Sequence, residues 1–327
     1  MGAITQSMTQ FVEVHPGLKY VFFGGKGGVG KTIMAGSAAL WFAKQGKKTL
    51  LASTNPVHSL SNLLGQNVFG KPVLIEDGEG CYALEIDTKD TIERSKKEIR
   101  EKISWFLKFA DIAVKAEEFV ESATMNPAFE ESAMFENMLD LIFQDEYDVY
   151  VFDTAPTANA RRLLGMSKVY ALWVEKLIQS RGEASALRKK LSYSRKKEEK
   201  DPLMDYLLQF KDRMADASKL LTEPGTTAFF FITLPESLPI AVVTRFITWF
   251  HDFGIPVGGV IVNGLIQKET VKDDAPEFVL NRVKMQEEHM EKIWQTFGDR
   301  TRAIVPLFET EVQGPAMLNK TAKYLFA

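Results

Sequence analysis

The stretch GGKGGVGKT, residues 24–32, constrains this chain more than any other. It follows a β-branched and aromatic run, KYVFFGG at 19–25, and runs into a helical pattern that starts at Lys31. A glycine-rich turn between a strand and a helix lets backbone N–H groups close around phosphate oxygens, and the helix start adds a field that favours an anion. Gly25 opens the G-x-x-x-x-G-K-T spacing, and Gly27, Gly28, Val29 and Gly30 form the cradle. Lys31 is placed to reach β- and γ-phosphates, and Thr32 to ligate Mg²⁺. A loop of this kind belongs at the carboxyl edge of a parallel sheet.

The rest of the chain is patterned to supply that sheet. Apolar runs at 19–25, 47–54, 81–87, 147–153, 226–234, 257–264 and 302–308 read as buried strands. Helical patterns separate them near 31–45, 128–144, 237–253, 277–297 and 313–325. The expected fold class is α/β: one P-loop domain over 1–327, with a twisted, mainly parallel sheet of about seven or eight strands covered on both faces. Two helical stretches exceed what crossovers need, at about 90–140 and 165–222, and are expected to form an inserted helical subdomain. The second contains RKKLSYSRKKEEK at 188–200, which reads either as a solvated connection or as a mobile lid. Met125, Met134, Met138, Met166, Met204 and Met214 lie in or beside these stretches. They suit ordinary core and an adaptable apolar groove equally well.

Composition excludes several classes. At 327 residues the chain can bury a large core, and a net charge of -3 gives no general attraction to nucleic acid. The N-terminal stretch lacks a basic region followed by an apolar core, and no apolar run approaches the roughly 18 residues of a membrane span. Cys81 is the only cysteine, so one chain forms neither an internal disulfide nor a thiolate metal site. These features lead us to expect a cytoplasmic, reduced protein, with a peripheral membrane role left open.

Lys26, early in the loop, gives K-G-G-x-G-K-T and resembles the deviant Walker A class, in which this lysine reaches across a dimer to the partner's nucleotide. YVFDTAPTANARRLL at 150–164 narrows the resemblance. A strand delivers Asp153, a carboxylate that can hold a Mg²⁺-bound water, and D-T-A-P-T is similar to the switch II signature of the ArsA ATPase family. That family comprises arsenite-pump ATPases and ATPases that target tail-anchored membrane proteins. TNPVHSLSN resembles its switch I, MNPAFEESAMF the segment before the switch II strand, and TLPESL its proline-glutamate segment. GVIVNG resembles its adenine-contacting strand and VPLFETEVQG the loop beside the base, so the resemblance spans essentially the whole chain. It implies ATP and Mg²⁺ as cofactors, Asn263 and Pro306 against adenine, and Arg162 as the arginine after switch II. It also implies a homodimer, or a heterodimer with a related ATPase, acting on an apolar client segment or a membrane protein.

The departures from that pattern bear on chemistry. The switch I aspartate is replaced by Asn55, the G-H-T after switch II by Ala158, Asn159 and Ala160, and a glutamate by Val242. Pro276 and Val279 stand where many members carry a zinc-clamping C-x-x-C, so no zinc is expected. One cysteine is also too few for a three-thiolate arsenite site or for the cluster of a nitrogenase iron protein. Asn55 cannot accept a proton from water, but its carbonyl can orient one, which implies slower hydrolysis. Asn55 before Pro56 also suits an Asx-type turn. The substitution fits equally a degenerate subunit paired with an active relative or an engineered trap of the ATP state. Two functional readings follow: a slow, dimeric ATP-driven switch, or a nucleotide-binding subunit that regulates or scaffolds a related ATPase.

Overall fold

The computed structural model describes residues 3–54, 59–109, 127–153, 202–272 and 274–327. Eight strands form one sheet in the order β3-β4-β2-β5-β1-β6-β7-β8. They are β1 (Tyr20–Gly25), β2 (Thr49–Ser53), β3 (Val73–Leu74), β4 (Cys81–Glu85), β5 (Val149–Asp153), β6 (Thr227–Thr233), β7 (Val257–Leu265) and β8 (Thr301–Pro306). Every pairing is parallel except that of the two-residue edge strand β3 with β4. The expected α/β class, with a mainly parallel sheet, is the one observed.

Alternating side chains make two cores. From one face Val21, Phe23, Val151, Phe230 and Ile232 pack with Met34, Ala38 and Leu318 of the helices Lys31–Lys44 and Gly314–Leu325. The two helices meet closely: a Cβ on Gly36 would lie 3.2 Å from Leu318 Cδ1. From the opposite face Phe22, Tyr150, Phe152, Phe229 and Phe231 pack with Met134, Met138, Ala217, Phe250 and Ile293. These belong to the helices Pro127–Gln144, Pro202–Thr222, Ser237–Asp252 and Glu277–Phe297. Phe152, Phe22 and Phe229 stack across three neighbouring strands, with centroids 4.9 and 4.3 Å apart. Each such pair contributes roughly 0.5–1.5 kcal/mol beyond its buried area and fixes strand register.

Met134 and Met138 are buried in this second core and Met214 packs against it, which is the ordinary role for a core methionine. Met125, Met166, the stretch 188–200 and most of 165–222 lie outside the described residues. Among the described residues no helix is long and apolar enough to cross a membrane.

Strand order positions the site. After β1 the chain moves to one side, to β2 and β4, and after β5 it crosses to the other, to β6, β7 and β8. The reversal leaves a crevice outside the carboxyl end of β1, where open α/β sheets bind their ligands.

Candidate nucleotide site

The loop after β1 closes at two glycines whose backbone no other residue would adopt easily. Gly25 has φ 146°, and a Cβ there would meet Ile232 O at 2.6 Å. Gly30 has φ 95° and caps the helix Lys31–Lys44 in the left-handed region, where a Cβ would fall 2.4 Å from Asn263 Nδ2. Among the described residues no side chain caps this helix, and a helix start of this kind suits an anion. Gly27 and Gly28 are exposed at the loop tip and Val29 is buried beneath it. Lys26 is half-buried and forms no salt bridge among the described residues.

Behind the loop the side chains converge. Thr32 Oγ1 donates to Asp153 Oδ2 at 2.7 Å, and Ser53 Oγ donates to the same oxygen at 3.2 Å. Asp153 is 1% exposed, and burial pushes its carboxyl up from the ordinary range. The Thr32 bond, the Lys31 charge and the Ser53 bond oppose that shift, while the charge of Glu85 adds to it. Burial lowers the Lys31 ammonium from its usual value, against the pull of Asp153, and Lys31 Nζ donates to Lys26 O at 3.1 Å. A cation and a carboxylate are thus both held partly or wholly out of water behind the glycine loop. Thr32 and Asp153 offer a hydroxyl and a carboxylate, the hard oxygen pair that suits Mg²⁺ completed by phosphate oxygens and water.

Sequence reasoning missed two residues here. Ser53 ends β2 in register with Asp153, and Glu85 ends β4 in register with Ser53. Glu85 is 1% exposed and accepts from Leu60 N at 3.1 Å and Ser61 Oγ at 2.7 Å. A polar residue closing an otherwise apolar strand was the available signal.

Asn263, on β7, donates from Nδ2 to Val29 O at 2.9 Å and so braces the loop directly. Pro306 ends β8, paired with Leu265 of β7, on the same carboxyl edge. Glu236 of the TLPESL segment forms an ion pair with Arg282 at 2.6 Å. Val242 is half-buried against the second core, so an apolar residue suits its place. Pro276 caps the helix Glu277–Phe297, and Val279 lies in its first turn. Asn55, Ala158, Asn159, Ala160 and Arg162 lie outside the described residues.

A loop that closes from β1 onto a helix start, with a carboxylate on the neighbouring strand and a switch point between them, places the chain among the P-loop NTPases. The comparison with known families narrows this further. The model of the ArsA family, described as anion-transporting ATPase, matches residues 18–327, and the chain belongs to that family. It is 30% identical over 307 residues to ATPase ASNA1 homolog 2 of Paramecium tetraurelia, covering 92% of this chain and 91% of that protein. It is 29% identical to putative arsenical pump-driving ATPase 2 of Aquifex aeolicus, covering 94% and 99%. ATPase GET3A of Arabidopsis thaliana is 26% identical, with 95% and 84% covered.

Proposed function

We propose that this protein binds Mg·ATP and hydrolyses it slowly, as a dimeric switch that couples nucleotide state to an apolar client or a membrane partner. The observation that carries this reading is the convergence of Lys31, Thr32 and Asp153 behind the glycine loop. In this reading Lys31 and the loop N–H groups bind the phosphates. Thr32 and Asp153 would hold Mg²⁺, which supplies charge neutralisation at the transferring phosphoryl group. Asn263 and Pro306 border the base, and Lys26 reaches the nucleotide of a second protomer. Asn55 orients water without accepting its proton, which slows turnover. The helices at 90–140 and 165–222 form a subdomain that reads the nucleotide state. The chain takes no zinc, binds no nucleic acid, and works in the cytoplasm or at a membrane surface.

The second reading, a weakly active or inactive partner subunit of a related ATPase, rests on Asn55, Asn159 and Val242. ATP turnover of the purified chain, with its oligomeric state in ADP and ATP, separates the two. Slow Mg²⁺-dependent turnover with ATP-dependent dimerisation supports the switch. ATP binding without turnover supports the partner subunit.

A further inference from the structure

The end of β7 leaves the regular ladder at the residue that braces the phosphate loop. Val262 pairs with Ile304 of β8 and Leu265 with Pro306, so Asn263 and Gly264 together face Val305 alone. This is a β-bulge, and Gly264 turns it with φ 72°, in the left-handed region. On the other side, the pairing with β6 ends at Thr233 and Val262. Bulges re-aim side chains. The side chain here is that of Asn263, whose Nδ2 donates to Val29 O at 2.9 Å.

An irregular strand end needs partners for the backbone groups that the ladder no longer serves. Gln286, on the helix Glu277–Phe297, supplies them. Its Oε1 accepts Ile266 N at 2.8 Å, and its Nε2 donates to Gly264 O at 2.9 Å. The amide thus straddles Leu265 and pairs with backbone on both sides of it, as a neighbouring strand would. Leu265 itself is held from β8, where Leu307 N donates to its carbonyl at 2.8 Å. Gln286 is 3% exposed and stands in a buried row with Val283, Met290 and Ile293. An amide in such a row is costly as packing material, because only hydrogen bonds offset its desolvation. An apolar residue would continue the row without that cost.

We propose that Gln286 is a positioning residue of the nucleotide site: it clamps the bulged end of β7 and so holds Asn263 against Val29 of the phosphate loop. The proposal deepens the Mg·ATP reading and rests on it for its effect on binding, whereas the clamp exists without nucleotide. Gln286 acts through Asn263 and needs no contact with the nucleotide.

Gln286→Met and Gln286→Leu each remove both bonds while keeping a side chain of similar size in the row, so either carries the test if the other fails to fold. Ile293→Val, two turns further along the same row, is the control for packing alone. In the ligand-free protein, amide exchange at Ile266 is expected to quicken about tenfold in both Gln286 variants. Mg·ATP affinity by calorimetry should fall about tenfold in both, yet stay near that of the parent in Ile293→Val, although that change also lowers the unfolding temperature. Adding Gln286→Met to Asn263→Ala should weaken binding by less than about threefold more, because the two act as one unit. Unchanged exchange at Ile266 in both Gln286 variants would overturn the clamp. Faster exchange with parental ATP affinity, or losses that multiply to about a hundredfold in the double variant, would overturn the positioning role. An unaltered chain that binds no ATP sinks the nucleotide reading, and with it the role of Gln286 at the site, whereas exchange at Ile266 still decides the clamp.

Discussion

Thr32 and Ser53 both donate to one oxygen of Asp153, Oδ2, at 2.7 and 3.2 Å. That geometry separates the charge of Asp153 from its hydrogen bonds. Asparagine with its carbonyl oxygen in the Oδ2 position keeps both bonds and loses the charge. Because burial raises the Asp153 carboxyl, the ionised form opposes folding of the ligand-free protein. Asp153→Asn should therefore raise the unfolding temperature without ligand, yet abolish the further rise that Mg·ATP gives. A scanning-calorimetry comparison with and without Mg·ATP checks both halves. A ligand-free variant less stable than the parent would contradict this reading of the carboxylate.

The loop depends on a contact between residues 234 positions apart, Asn263 Nδ2 to Val29 O. Asn263→Ala leaves that carbonyl without its partner, at about 1–3 kcal/mol if it stays buried. ATP affinity should fall roughly tenfold or more. Gly30→Ala should be harsher, since its Cβ would fall 2.4 Å from the same amide and the residue sits at φ 95°. Loss of ATP binding with an intact circular dichroism spectrum is the expected outcome. ATP affinity equal to the parent in Gly30→Ala would show that the loop closes differently.

Cys81 is fully buried, and burial pushes its thiol from 9.0 up to about 12. A neutral, enclosed thiol is a poor nucleophile, so an aromatic disulfide reagent should label it only as the protein unfolds. The unfolded thiol ionises from about pH 9 while the folded one holds its proton to about 12. The native state thus binds more protons in that window, and this contribution to stability declines as pH rises through it. Rapid labelling at neutral pH in native conditions would contradict the burial.

Lys26 and Asn55 test how the site is completed. Lys26→Ala should lower turnover and ATP-dependent dimerisation while ATP binding persists. Retained dimerisation and turnover would remove the lysine from the cross-protomer role. Asn55→Asp should raise kcat with little change in ATP affinity, because a carboxylate can both orient water and accept its proton. No gain would shift the balance towards the partner-subunit reading.

Much of this architecture is legible in the sequence because its strands are buried on both faces. Runs such as YVFF and AFFFIT have no polar interruption, and their limits fall within two residues of the observed strands β1 and β6. The phosphate loop is local, so its spacing is readable directly. What was missed has other causes. The edge strand β3 is two residues long and carries no period. The N-terminal helix Met8–Val14 is short, but its capping box, Ser7 with Gln10, was available as a signal. Ser53 and Glu85 show in the sequence only as polar residues closing apolar strands; what they do depends on Asp153 and on Leu60 and Ser61, which only the fold brings together. Asn263 was assigned towards the base by family resemblance, and its contact with Val29 O could not be read from either segment alone.

In the proposed function Lys31, Thr32 and Asp153 form a working Mg·ATP site. The most direct measurement is ATP turnover and ATP binding by the purified chain, with and without Mg²⁺, beside Lys31→Ala. Removing a cation that faces phosphate typically costs about 3 kcal/mol, roughly a hundredfold in affinity. The account predicts saturable ATP binding, slow turnover that requires Mg²⁺, and loss of both in Lys31→Ala. ATP affinity that is the same in the parent chain and in Lys31→Ala, or no ATP binding by the parent at all, would contradict it.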